Sequence, residues 1–322
     1  RQEVISERYR TVSRVRTAQT RDQVFDLTTT GVYVQAVIEP WETLKLIPAY
    51  RVDRVEGDYH DQLSGERASV NDFGTINQPK FSLVYSPWQT ASFYANWGRT
   101  FQIGVGSGAY KLASLQDDLK PSINEGWETG IKFNPVTWLD GRVAYWEQHA
   151  TDEVQRRLNA PSGDTENVGE TLRRGYDVQL NLYPNDLARV WFSYSRQFSE
   201  ILTPGPRLPA SKGKEMDHVP HHLYALGGDY QASEKLKFSA WVNGQSDYYL
   251  ERTNSTGQYG GYTLLNLGAE YRLSESVSVD MQLKNVTNRY YEYVWYDPDG
   301  ALDSLHAPGD GRALYAGLTL DF

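Results

Sequence analysis

Leu314-Tyr315-Ala316-Gly317-Leu318-Thr319-Leu320-Asp321-Phe322, the stretch that ends the chain, decides the fold. Leu314, Ala316, Leu318, Leu320 and Phe322 fall on one side of an extended chain. Ala313, Tyr315, Gly317, Thr319 and Asp321 fall on the other. A period of two with one greasy and one wet side is a half-buried strand. Exposed as an edge in water, such a strand would be a liability. As the closing strand of a barrel in a membrane, its greasy side faces lipid.

The same alternation recurs upstream. Val277, Val279, Met281 and Leu283 alternate with Ser278, Asp280, Gln282 and Lys284. Leu265, Leu267, Ala269, Tyr271 and Leu273 alternate with Asn266, Gly268, Glu270 and Arg272. Leu236, Phe238, Ala240 and Val242 oppose Lys237, Ser239, Trp241 and Asn243. Tyr176, Val178, Leu180 and Leu182 oppose Gly175, Asp177, Gln179 and Asn181. Phe81, Leu83 and Tyr85 oppose Lys80, Ser82 and Val84; Leu44 to Val52 behaves alike, with Pro48 withholding one ladder hydrogen bond. About thirteen such strands run from Gly31 to Phe322, each expected near the length of about nine to eleven residues that a tilted membrane strand needs.

Short turns and long loops alternate. Glu39 to Glu42, Ser86 to Gln89, Pro135 to Gly141, Tyr183 to Asp186, Ala232 to Glu234 and Ser274 to Ser276 are short. Trp41, Trp88 and Trp138 sit at this end, which suits an interfacial ring of aromatics, although Trp also accompanies Pro-containing turns by chance. Gly57 to Gln78, Gln102 to Ser122, Ser199 to Pro220 and Asp297 to Gly311 are the long connections. Outer-membrane barrels have this asymmetry, with the long loops outside. The last strand therefore runs down to the periplasmic side, and an odd count makes the first strand run down as well, entered from an extracellular loop.

Composition agrees. The chain has 322 residues, a formal charge of −9, 23 Tyr and 9 Trp, and a mean hydropathy of −0.60. No apolar run is long enough for a membrane helix, whereas alternating barrel strands average out as polar. Having no cysteine removes disulfides and thiolate metal sites. The acidic balance argues against nucleic-acid binding. Arg1 to Arg21 lack the apolar core of a signal peptide.

Five patches resemble the C-terminal barrel portion of a TonB-dependent outer-membrane receptor. They are Gly31-Val32-Tyr33-Val34-Gln35; Pro121 followed by Glu128, Gly130 and Lys132; Asn167-Val168-Gly169 followed by Arg173-Arg174-Gly175 and Asp177; Asn285-Val286-Thr287-Asn288-Arg289-Tyr290-Tyr291; and Gly311-Arg312 leading to Phe322. Asp177 stands where the family has Glu, and Asn124-Glu125 depart from its usual approach to the Trp127-Glu128 strand. The resemblance implies an all-β, antiparallel transmembrane barrel, of which this chain holds about the last thirteen of roughly 22 strands. Residues 1–30 are then a remnant of an extracellular loop and 31–322 the barrel portion, with the plug domain and TonB box absent. It also implies siderophore receptor-like uptake of a scarce ligand, most often a ferric siderophore, across the bacterial outer membrane. The partners it implies are the TonB-ExbB-ExbD complex reached through the plug, outer-membrane lipid, and the barrel assembly machinery that reads a terminal Phe322. No cofactor is implied, and the chain alone is expected not to transport.

Ligand-contacting candidates are aromatics and arginines near the barrel mouth: Trp97, Arg99, Tyr248, Tyr249, Arg252, Tyr293, Trp295 and Tyr296. Aromatic faces can stack on planar, catecholate-like ligands, and Arg can hold an anionic chelate. The alternative is an outward girdle, since alternation sends half of such residues out. Asp217, His218, His221 and His222 could ligate a divalent ion. However, His221 and His222 point to opposite faces of a strand, and Val219-Pro220-His221-His222 resembles the family's strand entry. Asp297, Asp299, Asp303 and Asp310 lack the spacing of a calcium loop. No catalytic constellation emerges. Rival readings are a passive porin-like channel, an outer-membrane enzyme with a Ser/His or Asp/His set at its rim, and a soluble Tyr-rich β-sandwich that binds glycans.

Overall fold

The computed structural model describes residues 2–7, 10–16, 19, 22–104, 106–112, 119–156, 165–206, 208–296 and 304–321. Among these there is no α-helix; the fold is one large antiparallel sheet with small hairpins at one end. Phe322 and the acidic residues Asp297, Asp299 and Asp303 lie outside the described residues.

The wall of the sheet follows a continuous path of strands: β1 (Gln23–Gln35), β2 (Leu44–Asp61), β3 (Thr75–Trp88), β4 (Ala91–Gln102), β5 (Ser122–Val136), β6 (Leu139–Arg156), β7 (Thr165–Asn185), β8 (Ala188–Pro204), β9 (His222–Ser233), β10 (Leu236–Gln245), β11 (Tyr262–Ser274), β12 (Val277–Lys284) and β13 (Ala313–Leu320). Every neighbour in sequence is a neighbour in space and antiparallel, the simplest up-and-down connectivity. Two short strands, Ile38–Trp41 and Arg67–Ser69, also pair with β2 and bring the sheet to fifteen. Among the described residues the edge strands β1 and β13 do not pair with each other.

Register fixes the faces. Trp241 pairs with Asn266 and Gly227, Asp280 with Gly317, and Asp177 with Ser195 and Ala144. Directly opposed residues share a face, so one face collects the polar set. Lys237 binds Glu270 at 3.2 Å, Ser239 donates to Asp229 at 2.7 Å, and Arg189 donates to Asn181, which donates to Asp140 at 2.8 Å. Asp53 is buried there and answered by Arg51 at 2.6 Å and Gln78 at 2.5 Å. The opposite face is apolar yet exposed: Leu318, Leu314, Leu267, Leu226 and Phe238 all lie open. A sheet with an exposed greasy face and a hydrogen-bonded wet face is the inverse of a soluble core.

Six tight turns lie at one end, at 42–43, 89–90, 137–138, 186–187, 234–235 and 275–276. Trp41, Trp88 and Trp138 are all exposed at that end. Three small apolar clusters sit at the other end: Tyr59 with Tyr110 and Leu112; Val55 with Phe73 and Ile76; and Val168 with Ile201 and Met216. Ile201 and Met216 are fully buried, each worth about 1.5–3 kcal/mol.

Two expectations need correction. Most wall strands exceed the short lengths expected: β6 has 18 residues and β7 has 21, whereas β12 and β13 have 8 each. The ladder simply continues upward, so Gly57–Asp61 and Ser199–Pro204 are strand rather than loop. The first wall strand also starts at Gln23, not Gly31, carried by Val24, Leu27 and the β-branched run Thr28-Thr29-Thr30. Ahead of it Gln2–Glu7 and Arg10–Arg16 form a hairpin. Pro48 is accommodated because β1 has already ended at Gln35; the Pro48 carbonyl accepts from the Ala36 amide at 3.1 Å.

Candidate functional site

Three connections meet at the long-loop end: residues 205–221 between β8 and β9, 246–261 between β10 and β11, and 285–312 between β12 and β13. The last two carry small hairpins, Tyr248–Tyr249 with Gln258–Tyr259, and Glu292–Tyr296 with Ser304–Pro308.

His218 ties all three together. Its backbone is left-handed, with φ of 59°. Its amide donates to the Tyr249 carbonyl at 2.9 Å. Its ring lies 5.1 Å from that of Tyr248. Nε2 faces the Val294 carbonyl at 2.8 Å, and Nδ1 faces the Asp217 carboxylate at 2.8 Å. A carbonyl only accepts, so Nε2 carries hydrogen, and a proton on Nδ1 then makes an imidazolium that donates both ways. Burial opposes that charge, and Arg252 opposes it too. The Asp217 and Val294 hydrogen bonds outweigh them, and the pKa lies above the ordinary value. Asp217 also faces Arg252 Nε at 3.3 Å.

Two asparagines reinforce the arrangement. Asn254 Oδ1 accepts from the Glu215 amide at 2.8 Å while its Nδ2 donates to the Glu215 carbonyl at 3.0 Å, joining the first loop to the second. Asn285, buried with φ of 49°, donates to the carbonyls of Arg289 at 2.8 Å and Asp310 at 3.2 Å, closing the base of the third. Tyr262 and Tyr291 rings lie 4.8 Å apart just above the polar face, where Lys284 Nζ sits 4.9 Å from the Tyr315 ring.

The structure divides the residues expected to meet a ligand. Tyr248, Tyr249, Arg252 and Tyr293 come together in this loop cluster. Tyr248 is buried, Tyr249 and Arg252 are half-buried, and Tyr293 is exposed. Trp295 and Tyr296 belong to the hairpin of the third loop, and their side chains lie outside the described residues. Trp97 and Arg99 are elsewhere, on the apolar face of β4. Trp97 is opposed by Phe81 and Trp127. Glu125 of β5 takes hydrogen bonds from Trp97 at 3.1 Å and from Arg99 at 2.6 Å. Both thus lie on the exposed apolar side of the wall, apart from the loop cluster.

The histidines diverge. His221 is held by Glu215 and His222 by Tyr194, so neither shares a partner with His218. Sequence reasoning missed Glu292, Tyr259 and His306. Glu292 accepts from Tyr259 Oη at 2.8 Å and Tyr290 Oη at 2.7 Å, and meets His306 Nδ1 at 3.1 Å. No spacing signals this, because Tyr259 comes from a different loop.

The family described as TonB dependent receptor-like, beta-barrel matches residues 4–288. The chain is 25% identical over 256 residues to the metal-pseudopaline receptor CntO of Pseudomonas aeruginosa, covering 76% of this chain and 33% of that protein. In structure it resembles the siderophore receptor PiuA from Acinetobacter baumannii, with a TM-score of 0.74 at 19% identity over 91% of this chain and 43% of that one. It also resembles the ferric citrate transporter FecA in its unliganded form, with a TM-score of 0.73 at 18% identity over 94% and 46%. The chain thus spans a third of that curated relative and less than half of either solved chain.

Proposed function

Because this chain belongs to the TonB-dependent receptor-like β-barrel family, we propose that it supplies wall and extracellular mouth to an outer-membrane receptor that takes up a metal chelate, a ferric siderophore or a close relative. The observation that carries this reading is the three-loop cluster around Tyr249, Arg252 and Tyr293, placed above a polar-faced wall. Half-buried and exposed aromatics offer stacking surface to a planar chelate, and the Arg252 guanidinium, already facing Asp217, adds positive charge beside them. The names of the relatives, a metal-pseudopaline receptor, a siderophore receptor and a ferric citrate transporter, fit that ligand class.

In this reading the polar face lines the lumen and the exposed apolar face meets lipid. The tight turns with Trp41, Trp88 and Trp138 sit at the periplasmic interface. Energy arrives through TonB, ExbB and ExbD by way of a plug carried elsewhere in the whole protein. The role is transport, without an enzymatic step.

The test is uptake in a receptor-null strain expressing the full-length gene, scanned over a panel of labelled ferric chelates. Uptake of at least one chelate, abolished by deleting TonB and weakened by Tyr249→Ala or Tyr293→Ala, is the expected result. Uptake that proceeds equally without TonB would make the protein a passive channel and overturn the reading.

A further inference from the structure

Glu292 is surrounded by oxygen and nitrogen donor atoms that the uptake reading does not use. Tyr259 Oη and His306 Nδ1 approach its Oε1 at 2.8 and 3.1 Å, and Tyr290 Oη approaches its Oε2 at 2.7 Å. Two phenols, a carboxylate and an imidazole converge from two loops. We propose that Tyr259, Tyr290, Glu292 and His306 form a site that binds a bare trivalent cation, Fe3+ by chemical class, without a chelator.

The geometry suits it. Adjacent ligands on an octahedral ion with bonds of about 2.0 Å lie about 2.8 Å apart, and each of the three other donors already stands 2.7–3.1 Å from a Glu292 oxygen. The frame is set by backbone pairing. Val294 pairs with His306 and Glu292 with Pro308, so Glu292 and His306 are diagonal neighbours on one hairpin. Tyr259 is held by its pairing with Tyr248. The site is reachable from outside, since Tyr259 and Tyr290 are both exposed.

Cation identity follows from the donors. Thiolates are absent and a single imidazole is present, which does not suit zinc or copper. Phenols normally keep their protons to a pH of about 10. Only a highly charged ion displaces two such protons near neutral pH. Binding is therefore written as Fe3+ entering and two phenol protons leaving to solvent, with no change in oxidation state. The ion would clip the second loop to the third, beside the His218 tie. The site stands on its own geometry and does not depend on the uptake reading.

The experiment uses the full-length receptor in detergent, stripped with chelator and titrated with Fe3+ supplied as its nitrilotriacetate complex. The expected result is a visible tyrosinate-to-iron charge-transfer band at one ion per protein, with two protons released. Tyr259→Phe and Tyr290→Phe, which remove only a hydroxyl each, should each shift or weaken the band, and together abolish it. Glu292→Gln and His306→Ala should weaken affinity by at least the roughly tenfold that loss of even an outer partner costs. Trp97→Phe, on the far face of β4, should leave the band intact. Absence of the band in the wild type, iron binding without it, or its survival in the double phenylalanine variant would each overturn the proposal. Chelate uptake can succeed or fail independently of all three, so the two readings are separable.

Discussion

Arg173 and Glu153 meet end-on across β6 and β7, with Nη2 2.7 Å from Oε1 and Nη1 2.9 Å from Oε2. The Thr171 hydroxyl donates to the same carboxylate, and the Glu153 side chain is only 11% exposed. Arg173→Ala leaves that carboxylate without its counter-charge and should cost about 3–5 kcal/mol. Glu153→Leu with Arg173→Met removes both charges together and should cost less. The urea midpoint of the folded, heat-modifiable gel band reports both. An alanine variant as stable as the wild type would mean that water solvates the carboxylate.

The His218 tie should depend on pH. Its pKa is raised in the fold, so its contribution is complete below the unfolded value of about 6.5. It is lost as pH climbs through the raised value. Amide exchange of the segments around His218 and Tyr249, corrected for intrinsic rate, should therefore be slower at about pH 6 than at about pH 9. His218→Gln should remove that difference. Equal protection at both pH values in the wild type would rule out the protonated tie.

The two faces of the wall should respond oppositely to charge. Leu267 lies exposed on the apolar face of β11, opposite Leu283 and Ala240. Leu267→Arg should cost about 2–4 kcal/mol near a bilayer midplane. Gln282→Arg, one residue from Leu283 but on the polar face, should be tolerated. Folding yield into lipid vesicles separates them. Equal losses would mean that the apolar face does not meet lipid.

Gly169 has φ of 107°, and a Cβ there would collide with the Thr203 carbonyl oxygen. Its amide is taken by Asn167 Oδ1 at 2.7 Å. Gly169→Ala should destabilise by more than about 1 kcal/mol. Gly65→Ala, also left-handed but with open space around it, should show only the backbone cost. Matching urea midpoints for the two variants would show that the β7–β8 contact yields.

Much of the wall was legible because alternation is local. Leu265 against Asn266, or Leu318 against Thr319, needs no tertiary knowledge, and the tight turns with their tryptophans mark one end. Trp97 and Arg99 were not legible. Their distance along β4 suggested the mouth, whereas their face depends on register with Phe81 and Trp127, and a shift of one residue reverses it. The upper parts of β2 and β8 read as loops because strand beyond the apolar zone loses the greasy half of the pattern. In Asn285 to Tyr291 the segment was recognisable but its reason was not. Asn285 captures carbonyls of Arg289 and Asp310, and Asn288 Oδ1 accepts the Arg312 amide at 3.0 Å. Glu292 and Tyr259 carry no signal at all, since their meeting depends on two loops closing on each other.

In the proposed outer-membrane setting, the length of β7 bears on how this protein would be recognised from outside. Its 21 residues, at about 3.3 Å each and a tilt of about 45°, rise about 50 Å against a hydrocarbon core of about 30 Å. With the wall set in a bilayer as proposed above, rigid sheet, and not only loop, would stand as a parapet above the membrane. An antibody, phage or toxin that grips this parapet reads side chains drawn from several neighbouring strands at fixed spacing. Peptides copied from any single strand lose that spacing, so epitopes mapped with linear peptides will under-report this surface.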